Sequence, residues 1–345
     1  MSMVIYVGLD VHLNSIAAVW GRAKDKPRSM TVAPSEEGFE MLVKAVGTMD
    51  VWGVYEASSC GLETYDRLRE LGWKMSIVAP THIAKSVHRK KRKTDLRDAK
   101  HLWELLMSHG ELGTELAEIW IPSRELQEQR EIVRRRLKLS ENSCRVKNGI
   151  LSLLRMHKIK RPEGMKTAWT QKHVAWLRGL AKDESVGASV KTVLASYVRE
   201  LEFVREEMET LQEEVETLAE KPQYRRPVEK MTQVPGVATL TALTFLLELG
   251  ELRRFDNRRQ VGCYLGLVPA SYESGDASDR KGHITRMGPP RIRRVLNQAA
   301  WQLVRLDPLW RKRYEGIKAR GGAKTAIVAV MRKLGIELWQ RAKSA

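Results

Sequence analysis

From Val190, apolar or bulky residues recur at Leu194, Tyr197, Leu201, Val204, Met208, Leu211, Val215 and Leu218 in an unbroken 4,3,4,3 spacing. A repeat averaging 3.5 residues falls on one side of an α-helix and on no single side of a strand. With its lead-in from Val190, the segment covers about 30 residues, roughly 45 Å of helix at 1.5 Å per residue. Such a rod leaves its apolar seam in water unless another helix covers it. The flanks are acidic, with Glu206, Glu207, Glu209, Glu213 and Glu214, which argues against a polyanion lying along it. A partner helix is the better inference, and there are two candidates. A second copy of the chain would make a dimer or higher oligomer. A helix predicted over 122–157 would pair within the chain, and the spacing is the same for both.

That second helix opens at Pro122-Ser123 and carries Arg134, Arg135 and Arg136, so it either touches nucleic acid or stands as a solvated spoke. A less regular stretch to about Ser185 follows, with Trp169 and Trp176 as packing anchors. The overall charge favours a polyanionic partner, since 60 Lys and Arg oppose 42 Asp and Glu, a formal net +18. From Arg253 to Ala345, 21 Lys and Arg face 7 Asp and Glu, so most of the excess sits in the last quarter. A second basic cluster, Lys85 to Lys100, includes Lys90, Lys91, Arg92, Lys93 and Arg97. It surrounds a pair of aspartates, Asp95 and Asp98, a placement that suits phosphate backbones.

Asp95 and Asp98 stand three apart at the start of a predicted helix, so both carboxylates share one face. Taken alone, the pair reads as a solvated first turn favoured by the helix dipole. The upstream chain changes that reading. Residues 3–9 form a predicted strand ending at Asp10; Ile16–Trp20 and Met30–Ala33 are short strands; Glu36–Val46 is a helix. Val51–Tyr55 is a strand ending at Glu56, Leu62–Leu71 a helix, and Lys74–Val78 a strand. The order β-β-β-α-β-α-β-α is that of the ribonuclease H-like fold. If the first and fourth strands are neighbours, Asp10, Glu56, Asp95 and Asp98 converge at one sheet edge, where they would bind two Mg²⁺ ions for phosphodiester cleavage.

Lys221 to Pro227 marks a boundary, and Val234-Pro235-Gly236-Val237-Ala238 opens a new region. Pro-Gly before the apolar helix Leu240–Leu249 suits either a helix-hairpin-helix element holding a DNA phosphate or a plain turn before a buried helix. Further on, Val268 to Gly275 is a polar loop with Ser271 and Ser274, leading to Gly282-His283-Ile284-Thr285-Arg286-Met287-Gly288. Arg280, Lys281 and Arg286 surround its hydroxyls with positive charge, the setting an attacking serine needs, although most loop serines only cap and turn. Arg291, Arg293 and Arg294 extend the basic run.

These pieces together resemble the DEDD-type insertion-sequence transposases of the family numbered 110, with its subgroup numbered 1111. The resemblance rests on Gly-Leu-Asp10-Val-His, the strand-end Glu56, Lys-Thr-Asp95-x-x-Asp98-Ala-x-x-Leu, the heptad segment and Pro-Gly-Val near 235. Leu-Gly-Leu-Val-Pro at 265–269, Ser274-Gly275 and Gly-His-Ile-Thr-Arg-x-Gly at 282–288 complete it. It implies a RuvC-like domain over 1–110 with the DEDD tetrad, a helical linker region over 111–185, a coiled coil over 186–221 and a mostly helical serine transposase domain over 228–345. It further implies that Ser274 forms a phosphoserine link to DNA, with Ser271 and Ser278 as alternatives in the same loop. Such enzymes act as oligomers, dimer to synaptic tetramer, sharing the active site between subunits, and are directed by a structured non-coding guide RNA that pairs with donor and target DNA.

Two other functions are consistent with the residues: a RuvC-like structure-specific nuclease in which metal-activated water attacks, and a non-catalytic nucleic-acid-binding scaffold. Cys60, Cys144 and Cys263 are too scattered for a disulfide framework or zinc site. No apolar run approaches a membrane span and no signal peptide is evident, so the expected location is the reduced cytoplasm, at the nucleoid when acting.

Overall fold

The computed structural model describes residues 3–23, 25–58, 60, 62–80, 94–271 and 281–345. The chain divides into two compact units, Met1–Ile121 and Pro122–Ala345.

Unit 1 is built on five strands: β1 (Ile5–Val11), β2 (Ile16–Gly21), β3 (Arg28–Val32), β4 (Val51–Glu56) and β5 (Lys74–Val78). Three helices accompany them: α1 (Glu36–Val46), α2 (Glu63–Glu70) and α3 (Asp95–Leu112). The sheet order is β3-β2-β1-β4-β5. β1 and β2 form the antiparallel hairpin expected from their short connection, β3 adds antiparallel to β2, and β4 and β5 run parallel to β1. The third strand begins at Arg28, two residues before the apolar pattern suggested, because exposed Arg28 and Ser29 still pair with Trp20 and Val19.

Alternation decides what each sheet face meets. Val7, Leu9, Val11, Tyr55 and Ile77 pack with Phe39 and Leu42 of α1 and Leu68 of α2. The intervening Tyr6, Ala17, Val19, Val54 and Val78 meet Ala99, Leu102, Trp103 and Leu106 of α3 on the other face. Both faces of β1 are thus covered, which is why it reads as a nearly continuous apolar run. Gly8 lies on the α3 face, where a Cβ would stand 2.1 Å from the Ala99 carbonyl oxygen and 2.3 Å from the Trp103 nitrogen. Only a glycine there lets α3 seat against the strand.

Unit 2 contains α4 (Arg124–Met156), α5 (Gln171–Leu180), α6 (Ala188–Ala219), α7 (Pro222–Thr232) and α8 (Thr239–Leu249). After a 3₁₀ turn (Leu252–Arg254) come α9 (Arg258–Tyr264), β6 (Pro269–Ser271), β7 (Lys281–Ile284), α10 (Pro290–Leu306) and α11 (Pro308–Lys343). The heptad segment is the single helix α6, and its seam has cover inside the chain. Leu194, Val198 and Leu201 pack with Val146, Ile150 and Leu154 of α4 and with Val174 and Leu177 of α5. Val215 and Leu218 enter the main core with Val133. Of the two candidate partners, the helix within the chain is present on the seam, so the seam alone no longer calls for a second copy.

Residues 111–121, expected in a helical linker, belong to unit 1: Ile119 and Ile121 pack on its core, and Glu118 bridges to Val78. The segments expected as linker, coil and C-terminal domain share one unit because α8 is buried from Ala242 to Leu249 among their helices.

Candidate active site

Leu9 of β1 pairs with Tyr55 of β4, and one position further on both strands stand Asp10 and Glu56. Leu9 and Tyr55 face α1 and α2, so alternation turns Asp10 and Glu56 to the α3 face. Asp95 and Asp98 occupy the first turn of α3, where the Arg97 and Asp98 amides donate to the Thr94 carbonyl. The close approach at Gly8 brings that turn to the end of β1. His12 Nε2 lies 3.2 Å from Asp10 Oδ2 and 3.6 Å from Asp95 Oδ1. Ligand atoms of Asp10, His12 and Asp95 all fall within 4.8 Å of one another.

The electrostatics follow from that crowding. Burial pushes the Asp10 carboxyl above its ordinary range; His12 opposes the shift, and the charges of Asp95 and Asp98 add to it. Asp10 is half-buried, whereas Asp95 is open to solvent. Carboxylate oxygens meeting from a strand end and a helix turn suit a hard divalent cation, which would relieve the repulsion they now carry. His12 was missed as a site residue, although the Asp10-x-His12 spacing puts both side chains on one face of an extended strand end.

The serine loop lies largely outside the described residues: Ser274, Ser278 and Arg280 are not described, nor are Lys90, Lys91, Arg92 and Lys93. Its base is. β6 and β7 are antiparallel, with Ser271 paired to Lys281, so the segment 272–280 is bracketed by a two-stranded ribbon. The two sequence motifs on either side bind each other. Thr285 N donates to Val268 O at 2.9 Å and Arg286 N to Gly266 O at 3.2 Å. Arg293 Nη1 donates to Gly288 O at 2.6 Å and Leu265 O at 3.3 Å, and burial pushes its pKa down. Arg293, expected on nucleic acid, thus clasps the backbone of the loop's support. Arg286 beside it is exposed, with a positive φ of 55°.

The remaining basic candidates divide by partner. Arg134 forms a two-point contact with the buried Glu248, at 2.9 and 3.2 Å, and a third bond to Glu131. Arg291 lies 3.8 Å from Glu248, Arg294 pairs with Glu141, and Arg136 donates to Ser140 Oγ at 2.8 Å. Arg134, Arg135, Arg291 and Arg294 line a cavity of about 570 Å³ together with Glu131 and Glu141, so its charge is mixed. Arg97 and Arg135 are exposed. Gly236 has φ +86° in the turn from α7 to α8 and packs on α10, where a Cβ would meet Gln302 Cβ at 2.6 Å. The Val237 amide closes that turn on Val234 O, so Gly236 has a structural reason of its own.

Residues 7–159 match the family model described as a transposase of the DEDD IS110 type, and residues 228–315 match the one described as the transposase IS116/IS110/IS902 family. The protein y4qE of Sinorhizobium fredii, a transposase by name, is 27% identical over 99% of this chain and 89% of its own length. The transposase for insertion sequence element IS1533 of Leptospira borgpetersenii is 24% identical over 99% of this chain and 96% of its own. The transposase for insertion sequence element IS1111A of Coxiella burnetii is 30% identical over 32% of this chain and 31% of its own. With these matches running through both units, the chain belongs to the IS110 family of insertion-sequence transposases, enzymes that cut and rejoin DNA.

Proposed function

We propose that the protein is an RNA-guided site-specific recombinase that uses an Asp10, Glu56, Asp95, Asp98 tetrad and Ser274. The observation that carries this reading is the meeting of Asp10 and Asp95 at the strand end, with the Asp98 charge acting on Asp10 and Glu56 at the same level on the neighbouring strand. The sheet order β3-β2-β1-β4-β5 with two parallel and two antiparallel pairings is the one a ribonuclease H-like, RuvC-like domain requires. Two Mg²⁺ ions held by these carboxylates would activate an attacking oxygen and stabilise the leaving one.

Ser274 Oγ would attack a DNA phosphorus, forming an O–P bond as the bond to one deoxyribose oxygen breaks and that oxygen takes up a proton. Attack by a deoxyribose hydroxyl of the new strand would then release the serine and rejoin the DNA. The ribbon of β6 and β7, tied down by Arg293, would hold the loop that carries this nucleophile. Sequence choice falls to base pairing with a structured guide RNA, and basic surfaces grip the backbones. Protein purified from cells carrying its flanking DNA should retain one dominant structured RNA after DNase treatment. With that RNA, donor and target DNA and Mg²⁺, wild type should form a covalent DNA adduct that Ser274→Ala abolishes while DNA binding survives. Cleavage to free ends with no adduct in either protein would instead support a water-using nuclease.

A further inference from the structure

At the far end of α4 from Glu248, a cavity of about 690 Å³ opens between α4, the segment after it and α5. Its floor is apolar, with Leu151, Leu154 and Ile159, and the half-buried indole of Trp176 forms one wall against His173, 5.5 Å between ring centroids. Its rim is Arg155, Lys158, Lys160 and Arg161, all exposed. No carboxylate lines it, and among the described residues none of the four cations makes an ion pair. That sets it apart from the cavity nearer the start of α4, where Glu131 and Glu141 pair with Arg134, Lys138 and Arg294 in the lining.

The helix dipole favours cations within the last turn of α4, which accounts for Arg155 and not for Lys160 and Arg161 beyond it. The local backbone supports a function as well. α4 ends in a Schellman turn, with Ile159 N donating to Leu154 O and Lys158 N to Arg155 O. Lys158 holds the left-handed position at φ 53°, where glycine is the low-cost residue. Trp169, the neighbour of the lining residue Ala168, has φ 68°, so two strained non-glycine residues border one pocket.

We propose that this pocket binds a single-stranded nucleic-acid segment, seating an unpaired base against Trp176 while its flanking phosphates lie on Arg155, Lys158, Lys160 and Arg161. The volume suits one or two nucleotides, and an aromatic wall ringed by unpaired cations is the chemistry that stacks a base and neutralises its backbone. Duplexes, whose bases are inside the stack, would gain only the rim. The inference rests on the nucleic-acid-directed reading above and names a site for it away from the carboxylates.

The test uses the full chain and three fluorescent probes: an oligouridine and an oligothymidine of about twelve nucleotides, and a DNA duplex. Reversing the exposed pair with Lys160→Glu and Arg161→Glu should weaken single-strand binding about tenfold and lower the slope of log affinity against log salt by about 1.4, two phosphate contacts' worth. Trp176→Leu, if it keeps its helical content, should lose a similar factor with the slope unchanged, since stacking is not ionic. Whichever single strand binds tighter identifies RNA or DNA as the occupant. Wild-type affinity and slope in the charge-reversed protein would overturn the proposal, as would an equal loss of single-strand and duplex binding in Trp176→Leu. Failure of all three probes to bind wild type would instead bring down the function proposed above.

Discussion

Glu248 and Asp10 are both acids withdrawn from water, one in each unit, and their surroundings are opposite. Glu248 is 4% exposed and receives Arg134 through two hydrogen bonds, with Arg291 at 3.8 Å. Its own carbonyl accepts from the Tyr264 hydroxyl at 2.9 Å, and the adjacent Leu247 carbonyl accepts from buried Arg130 at 2.7 Å. Among the described residues, Asp10 has two further carboxylates beside it and a half-exposed histidine in opposition. Charge compensated within the chain holds a fold together. Charge left uncompensated by the fold marks where something else must bind.

The largest effect that would break this comparison is on catalysis. Asp10→Asn should lower DNA cleavage by about 10³-fold or more, the scale expected when several kcal/mol of metal-based stabilisation are lost; near-wild-type cleavage in a gel assay would remove Asp10 from the site. Next comes Glu248→Ala, which leaves Arg134 and Arg291 facing an unfilled partner position. Arg134 is partly exposed and keeps Glu131, so the cost should be about 1–3 kcal/mol, to be read from urea unfolding of the helical signal. The double change Glu248→Leu with Arg134→Leu should recover much of that loss.

Gly8→Val forces α3 off the sheet and should cost about 1–3 kcal/mol, with Mg²⁺ affinity falling alongside because Asp95 and Asp98 retreat from Asp10. Unchanged metal affinity in a destabilised Gly8→Val protein would separate the glycine from the site. The smallest effect has the opposite sign to the usual cost of mutation. Folding raises the Asp10 pKa, so the native state binds more protons than the unfolded chain over that interval, and stability falls as pH rises from the ordinary Asp value through the raised one. At neutral pH the cost is fully present. Asp10→Asn should therefore raise the melting temperature of the metal-free protein by about 2 °C and flatten its acid-side pH profile, while Mg²⁺ should stabilise wild type alone.

Much of unit 1 was legible residue by residue. Strand alternation and the 3.6-residue helix period are local rules, and they located Asp10, Glu56, Asp95 and Asp98 at element ends before any contact was known. His12 was equally available to the same rule. The basic residues were less legible, because a triplet such as Arg134-Arg135-Arg136 looks uniform in sequence. In the fold, Arg134 meets Glu248, 114 positions away, Arg136 meets Ser140 one turn on, and Arg135 remains exposed. Arg293 turned out to bind backbone carbonyls, which carry no signature in a sequence.

The sequence by itself determined the order of strands and helices in unit 1, the ends at which its acids sit, and the length of α6, since each depends on the periodicity of neighbouring residues. Tertiary structure alone decided that α4 and α5 cover the seam of α6, that Glu248 neutralises one end of α4, and that the cations at the other end have no carboxylate partner among the described residues. Those outcomes depend on which residues far apart in the chain come within a few ångströms, and charge and apolar pattern along a helix are the same whichever partner arrives.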